Sequence, residues 1–262
     1  MPWNPDVYNH FKDIRFKPFY DLAELISNEK EMKAVDLGCG TGEQTSILTE
    51  KLTYATFTGI DSSPEMLEKS KALENERLHF RIATTEEMLE ADEKWDLIFS
   101  NAALQWSDNH QELFPKLISK LNSGGQLAVQ MPYQPGNTLN KILFELANDE
   151  PFRTQLKGWN RPSAVLTIDE YAQILFENGV EDLNLSQKVY PIIAEDHETL
   201  FKFISGSALI PYLERLDEEQ QKIFTTEFKA RIEENFMTLP AIYAFKRILL
   251  YGRKNKKSPA YH

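Results

Sequence analysis

The chain has 262 residues, with 29 Lys and Arg against 40 Asp and Glu for a formal net charge of −11, and a single cysteine, Cys39. That average field attracts neither nucleic acid nor an anionic membrane. One thiol excludes an internal disulfide framework and suits a reducing compartment, and no run approaches the roughly 18 apolar residues of a membrane span.

Hydrophobic residues at 42% and aromatics at 11% describe a packed globular chain, one α/β domain over 1–262. The start, Met1-Pro-Trp-Asn-Pro, has neither a basic nor an apolar run, so no signal peptide is expected and a cytoplasmic location is. Residues 1–20 are rich in aromatics (Trp3, Tyr8, Phe11, Phe16) with Lys12, Arg15 and Lys17 between them, and read as an ordered arm leading into a helix at 18–29.

Compact apolar runs then place strands at 33–37, 55–61, 78–83, 95–101 and 125–131, alternating with helices at 43–52, 64–74 and 109–120. The helix at 64 opens on Ser63 as N-cap with Pro64 in its first turn. Alternation of this kind predicts a parallel sheet with helices on both faces. Beyond it come a helix at 138–147, a loop carrying Trp159, Arg161 and Pro162, and a helix at 168–178 with a Thr167/Glu170 capping box. A strand at 183–192, a helical stretch over 197–236 and a strand at 241–251 follow. That last strand is apolar on both faces and belongs inside the sheet. The basic tail from Arg253 reads as a frayed end.

The densest chemistry lies in Val35-Asp-Leu-Gly-Cys-Gly-Thr-Gly42, followed by Gly-Ile-Asp at 59–61. Glycines at 38, 40 and 42 let the backbone turn and approach a ligand with no Cβ in the way. Asp61 falls 19 residues after Gly42, where a doubly wound fold sets an acid on a ribose hydroxyl pair. The run is G-x-G-x-G rather than G-x-G-x-x-G, and position 43 is Glu43, which suits a helix N-terminus but repels a pyrophosphate. A phosphate-free cofactor with an amino-acid end and an adenosine end fits better: S-adenosylmethionine.

Ligands of open α/β sheets sit outside the carboxyl ends of the strands. Here those ends offer Asp61-Ser62, Ala83-Thr84, Asn101-Ala-Ala-Leu-Gln105-Trp106 and Met131-Pro-Tyr133. They contain no metal-ligand spacing and no G-x-S-x-G elbow. The five histidines have no partner at useful spacing and are assigned to structure or surface, and Cys39 to a small buried position rather than a reactive thiol.

Asp36-Leu-Gly-Cys-Gly-Thr-Gly42, Asp61 and Asn101 resemble the motifs of class I S-adenosylmethionine-dependent methyltransferases. Trp3-Asn-Pro-Asp-Val-Tyr8 with Phe11, Asp13 and Arg15 is similar to the arm of the trans-aconitate methyltransferase family. So are Phe99-Ser-Asn-Ala-Ala-Leu-Gln-Trp106, Pro135-Gly-Asn137, Gly206-Ser-Ala-Leu-Ile-Pro-Tyr212 and Phe245-Lys-Arg247. The resemblance implies a doubly wound, Rossmann-like, mostly parallel seven-stranded sheet with the last strand antiparallel. It also implies a lid made of the 1–20 arm and the 197–237 helical insertion; that amphipathic stretch also reads as a dimer face.

For the cofactor the resemblance implies Arg15, Asp36, Gly38, Cys39, Gly40, Asp61, Ser62, Thr84 and Asn101. For a small polyacid it implies Gln105, Trp106, Tyr133, Trp159, Arg161, Tyr212, Lys246 and Arg247. The chemistry that the resemblance implies is methyl-ester formation on a carboxylate, with no metal and no general base. Lys246 and Arg247, adjacent on a strand, point to opposite faces, so at most one enters the pocket. The chain departs from the family pattern where Thr84 replaces an adenine-contacting acid and where a shorter turn, Met237-Thr-Leu-Pro240, precedes the last strand. No nucleic-acid or membrane partner is expected, and the oligomeric state is monomer or weak homodimer. Two other readings stand: a malonyl-carrier-protein methyltransferase of biotin synthesis, and a cofactor-binding protein without catalysis.

Overall fold

The computed structural model describes residues 12–256, with side chains from Phe16 onward. Most of the predicted arm, residues 1–11, and the end of the basic tail, 257–262, lie outside the described residues.

Seven strands form one sheet in the order β3-β2-β1-β4-β5-β7-β6. They are β1 (Met32–Leu37), β2 (Ala55–Asp61), β3 (Leu78–Ile82), β4 (Trp95–Asn101), β5 (Leu121–Pro132), β6 (Val180–Ala194) and β7 (Ala241–Lys254). Pairs β1–β2, β2–β3, β1–β4 and β4–β5 are parallel, and β7 runs antiparallel to β5. The doubly wound sheet expected from the sequence is present, including the antiparallel last strand. Chain reversal between β1 and β4 puts the topological switch point beside the glycine loop, where open α/β sheets take ligands.

The helices are α1 (Lys12–Ala23), α2 (Glu43–Lys51), α3 (Pro64–Ser70), α4 (Thr85–Glu90), α5 (His110–Ser119), α6 (Thr138–Asn148), α7 (Phe152–Gln155), α8 (Ile168–Glu177), α9 (His197–Ser205), α10 (Ile210–Leu213) and α11 (Glu218–Asn235). Ser63 caps α3 by accepting from Met66 N, and the Thr167/Glu170 box caps α8, as the sequence predicts. The first helix differs. It spans 12–23 rather than 18–29 and carries Pro18 within it.

The helical stretch expected over 197–236 is three helices. Gly206 caps the end of α9, Pro211 stands in the first turn of α10, and an Asp217/Gln220 box restarts the chain as α11. The strand ending at residue 251 continues through Lys254. There Arg253 meets Glu29 at 2.7 Å and Lys254 Nζ donates to the Leu121 carbonyl at 2.9 Å, so the start of the basic tail is ladder rather than frayed end.

The chain divides into two compact units. The sheet unit comprises Pro18–Pro132, Ala164–Lys188 and 247–256. Its core is the near-continuous apolar filling of the parallel strands, with Val35, Phe57, Ile98, Phe99 and Val129 sealed from solvent, as strands covered on both faces require. Each such side chain contributes on the order of 1.5–3 kcal/mol. The helical unit comprises residues 12–17, Tyr133–Ser163 and Val189–Lys246. It has its own core, in which Phe224, Phe228 and Ile232 bury one stripe of α11 among Leu139, Leu146, Leu200 and Leu209. Strands β6 and β7 contribute residues to both units.

Candidate active site

In the sheet unit, β1 ends in three residues of positive φ, Gly38 at 71°, Gly40 at 57° and Gly42 at 76°. Each is needed differently. A Cβ on Gly38 would stand 2.3 Å from the Ala103 Cβ, and one on Gly42 would enter the Phe80 ring, whereas one on Gly40 meets nothing within 4 Å. The turn is therefore packed on two glycines and open over the middle one, a cradle that a side chain would fill.

Its shape is held by Asp61 at the end of β2. One carboxylate oxygen accepts from Gly40 N at 2.9 Å and the other from Ser63 N at 2.9 Å. A carboxylate has about four acceptor positions, so two donors leave room for a hydroxyl pair. Ser62 beside it is exposed.

Asp36 is sealed beneath the turn, and Thr45 Oγ1 donates to its Oδ2 at 2.6 Å. Burial raises its pKa to about 7 against the pull of that hydrogen bond, with Asp61 adding a like charge. Burial likewise pushes the Cys39 thiol far up, aided by Asp36 and Asp61. Such a thiol is a poor nucleophile at neutral pH.

Thr84 does not offer a free amide to a ligand. Its hydroxyl accepts from Glu87 N at 3.1 Å and its amide donates to Glu87 Oε2 at 2.8 Å, closing the capping box of α4. The sequence reading missed this helix although T-x-x-E, the pattern that marks α8, stands at 84–87.

Beyond β4, Asn101 Nδ2 donates to Gln44 Oε1 at 2.8 Å while its buried Oδ1 has no hydrogen-bond partner. Gln105 and Trp106 ride the single turn Leu104–Trp106. Gln105 is buried, its Nε2 on the Ala102 carbonyl and its Oε1 unpartnered, and Trp106 is 39% exposed. Behind this turn His110 accepts the Tyr171 hydroxyl at Nδ1 and donates from Nε2 to the Leu104 carbonyl at 2.9 Å. The turn is thus fastened to the core.

Arg247 opens the sheet-unit part of β7 opposite Pro132, is 6% exposed, and donates from Nη1 to Gln130 Oε1. Neither Gln130 nor His110 was singled out from the sequence; a buried glutamine in an apolar strand is the signal that was present for the first.

In the helical unit, Tyr133 N donates to the Lys246 carbonyl at 2.9 Å, and Asn137 pairs with the backbone of Lys246 through both ends of its amide. The Tyr133 ring lies where a Cβ on Gly136 would be, and Lys246 Nζ donates to the Gly136 carbonyl at 2.9 Å. That ammonium is committed to backbone.

Trp159 and Tyr212 meet edge to face at 5.1 Å, with the Arg215 guanidinium 3.7 Å over the Trp159 ring. Asn160 Oδ1 receives both Arg161 N and the Tyr212 hydroxyl. Burial raises the Tyr212 pKa, so its hydroxyl stays protonated and a donor. Arg215 joins this cluster without having been expected. The Arg15 side chain lies outside the described residues. Among the described residues no group of three His, Cys, Asp or Glu is arranged to hold a metal, and no helix is long and apolar enough to cross a membrane.

A doubly wound sheet with this glycine turn and a strand-end acid defines an adenosine-type cofactor domain. Residues 28–197 match the family model described as a methyltransferase domain. Over 97% of this chain and 99% of theirs, it is 39% identical to a trans-aconitate 2-methyltransferase of Deinococcus radiodurans and 31% identical to one of Escherichia coli O1:K1. The chain belongs to the trans-aconitate 2-methyltransferase family of methyltransferase-domain proteins. The fold is also that of the Haemonchus contortus phosphoethanolamine N-methyltransferase 2 solved with S-adenosyl-L-methionine. That chain superposes with a TM-score of 0.54 at 13% identity, over 91% of this chain and 52% of that one.

Proposed function

We propose that this protein transfers the methyl group of S-adenosylmethionine to a carboxylate of trans-aconitate or a close polyacid, giving a methyl ester. The observation that carries the reading is full-length kinship with relatives of that name, 39% over 97% of the chain. Relatedness therefore extends through the segments outside the common methyltransferase core.

The residues present fit the cofactor. The open turn at Gly40, the spare acceptor positions of Asp61 and the unpartnered Asn101 Oδ1 suit close backbone approach, a ribose diol and an ammonium in turn. We assign Asp36, Gly38, Cys39, Gly40, Asp61, Ser62 and Asn101 to its binding, with Thr84 acting through the α4 cap and Arg15 from the arm. The cofactor supplies an electrophilic methyl group.

A substrate carboxylate has a reference pKa near ~4 and is already a nucleophile at neutral pH, so no side chain has to take a proton. What the protein supplies is orientation, worth roughly 7–11 kcal/mol in favourable cases, and a local positive field within a chain of charge −11. Arg247 is the principal anion anchor, since a guanidinium matches a carboxylate bidentately. We also assign Gln105, Trp106, Tyr133, Trp159, Arg161, Tyr212 and Lys246 to the polyacid. The 197–237 stretch serves as lid. The protein works in the cytoplasm as monomer or weak homodimer, without nucleic-acid or membrane partners.

Radiolabelled S-adenosylmethionine offered with a panel of di- and tricarboxylic acids tests this. Base-labile label on trans-aconitate is the expected result. Label on a malonylated carrier protein instead selects the biotin-pathway reading, and cofactor binding with no label anywhere overturns both.

A further inference from the structure

Strand β5 carries two buried glutamines on one face, four residues apart, and they are satisfied very differently. Gln126 is saturated. Its Oε1 accepts Ser27 N and the Tyr251 hydroxyl, each at 2.9 Å, and its Nε2 donates to the Ser27 carbonyl at 3.0 Å beside Met32 Sδ. Gln130, fully buried, gives its Oε1 to the Arg247 guanidinium and leaves its Nε2 with no hydrogen-bond partner. A buried amide donor without a partner carries an uncompensated desolvation cost, which a purely structural residue has no reason to bear. Exchanging the amide ends would turn a donor toward the guanidinium, so the orientation is fixed by chemistry.

Gln130 pairs with Asn101 of β4 and sits two residues before Pro132, the partner of Arg247. It therefore stands at the carboxyl end of the sheet, where the switch point puts ligands. Its neutrality matters as well. A carboxylate at this position would form a buried ion pair and cancel the guanidinium's charge, whereas an amide oxygen orients the fork and leaves the charge in place.

From these observations we propose that Gln130 is a positioning residue for Arg247: through its Oε1 it aims the guanidinium at the substrate polyanion, and its unpartnered Nε2 is a donor to the same anion. The proposal rests on the reading of Arg247 as polyacid anchor.

The experiment is calorimetric titration of trans-aconitate into full-length protein saturated with S-adenosylhomocysteine, with S-adenosylmethionine affinity, kcat and KM measured alongside. Gln130→Glu is expected to weaken trans-aconitate binding and raise its KM at least 30-fold, and Gln130→Met about 5- to 10-fold, each with cofactor affinity within twofold of wild type. Should the Glu variant fail to fold, the Met variant decides alone. Gln126→Met is the control: a lower melting temperature with KM for the polyacid within twofold. Wild-type binding of trans-aconitate with both Gln130 variants unchanged overturns the proposal alone. Wild-type protein that binds no polyacid overturns it together with the reading it rests on.

Discussion

The glycine turn and the residues proposed for the polyacid differ in what holds them in place. The turn is made of backbone: positive-φ glycines at the end of β1, clamped by amide hydrogen bonds to an acid 21 residues from Gly40. The proposed polyacid residues are side chains fixed by partners distant in sequence. Arg247 is held by Gln130 across 117 residues, Lys246 by Asn137 across 109, and Tyr212 by Asn160 across 52. Changes in the glycine turn and the acids beside it, the rim, should therefore cost folding and cofactor together, while changes in the proposed polyacid residues should cost substrate affinity and little else.

The sharpest break in that contrast comes from Gly38→Ala. The left-handed φ of 71° and the Ala103 Cβ at 2.3 Å both oppose the new methyl, and strain plus overpacking should remove roughly 2–5 kcal/mol of stability. Gly40→Ala meets open space and should cost only about 1 kcal/mol, through its φ alone, while weakening cofactor binding at least tenfold. Urea unfolding and cofactor titration of the pair check this. Equal destabilisation would mean that the turn is not packed as described.

Asp36 tests whether the rim carries a cost of its own. Its folded pKa, about 7, lies above the ordinary 3.8, so the folded state takes up the proton more readily than the unfolded chain. The stability that comes from the neutral form is present below about pH 4 and lost as pH rises through 7. Asp36→Asn keeps an acceptor for Thr45 and carries no charge. Its unfolding free energy should match wild type near pH 4 and exceed it by on the order of 3 kcal/mol at pH 8. A difference independent of pH would show that Asp36 ionises in the fold as readily as in the unfolded chain.

On the other side of the comparison, Arg247→Ala should raise KM for the polyacid about 30-fold, a loss of roughly 2 kcal/mol, with cofactor affinity within twofold. Equal weakening of both ligands would place Arg247 in the rim instead.

The same contrast explains what the sequence made legible. The strand runs, the Ser63-Pro64 start, the Thr167/Glu170 box and the glycine turn with Asp61 are short-range patterns, and they were readable from spacing. The α4 box at Thr84 and Glu87 is equally local, and it overlaps the position where the family pattern puts an adenine contact. The breaks at Gly206, Pro211 and Asp217 lay within a stretch whose hydrophobic pattern reads as one helix. Gln130, Arg215 and the Asn137 clamp were illegible for a different reason: their meaning is a pairing across 50 to 120 residues, roughly, which no window in one sequence contains. Strand alternation in the sequence sends Lys246 and Arg247 to opposite faces, but only the fold shows the ammonium spent on the Gly136 carbonyl and the guanidinium held by an amide.

The smallest expected effect concerns the turn that carries Gln105 and Trp106. Nδ1 of His110 must accept from the Tyr171 hydroxyl, which itself accepts from Leu166 N at 3.2 Å, and Nε2 must donate to the Leu104 carbonyl. Only the neutral ring satisfies that chain, and burial lowers its pKa below the ordinary 6.5. The unfolded chain thus binds this proton first as pH drops below about 6.5, and stability falls with it, by no more than about 1.4 kcal/mol per pH unit for one proton. His110→Gln keeps a donor for the Leu104 carbonyl and cannot titrate, so it should be less stable at pH 7.5 yet lose less of its remaining stability on acidification. If the ring serves the turn, KM for the polyacid in wild type should also rise below pH 6 while that of the glutamine variant stays flat. Parallel pH profiles for the two proteins would leave His110 as core packing and cut the link between it and Gln105.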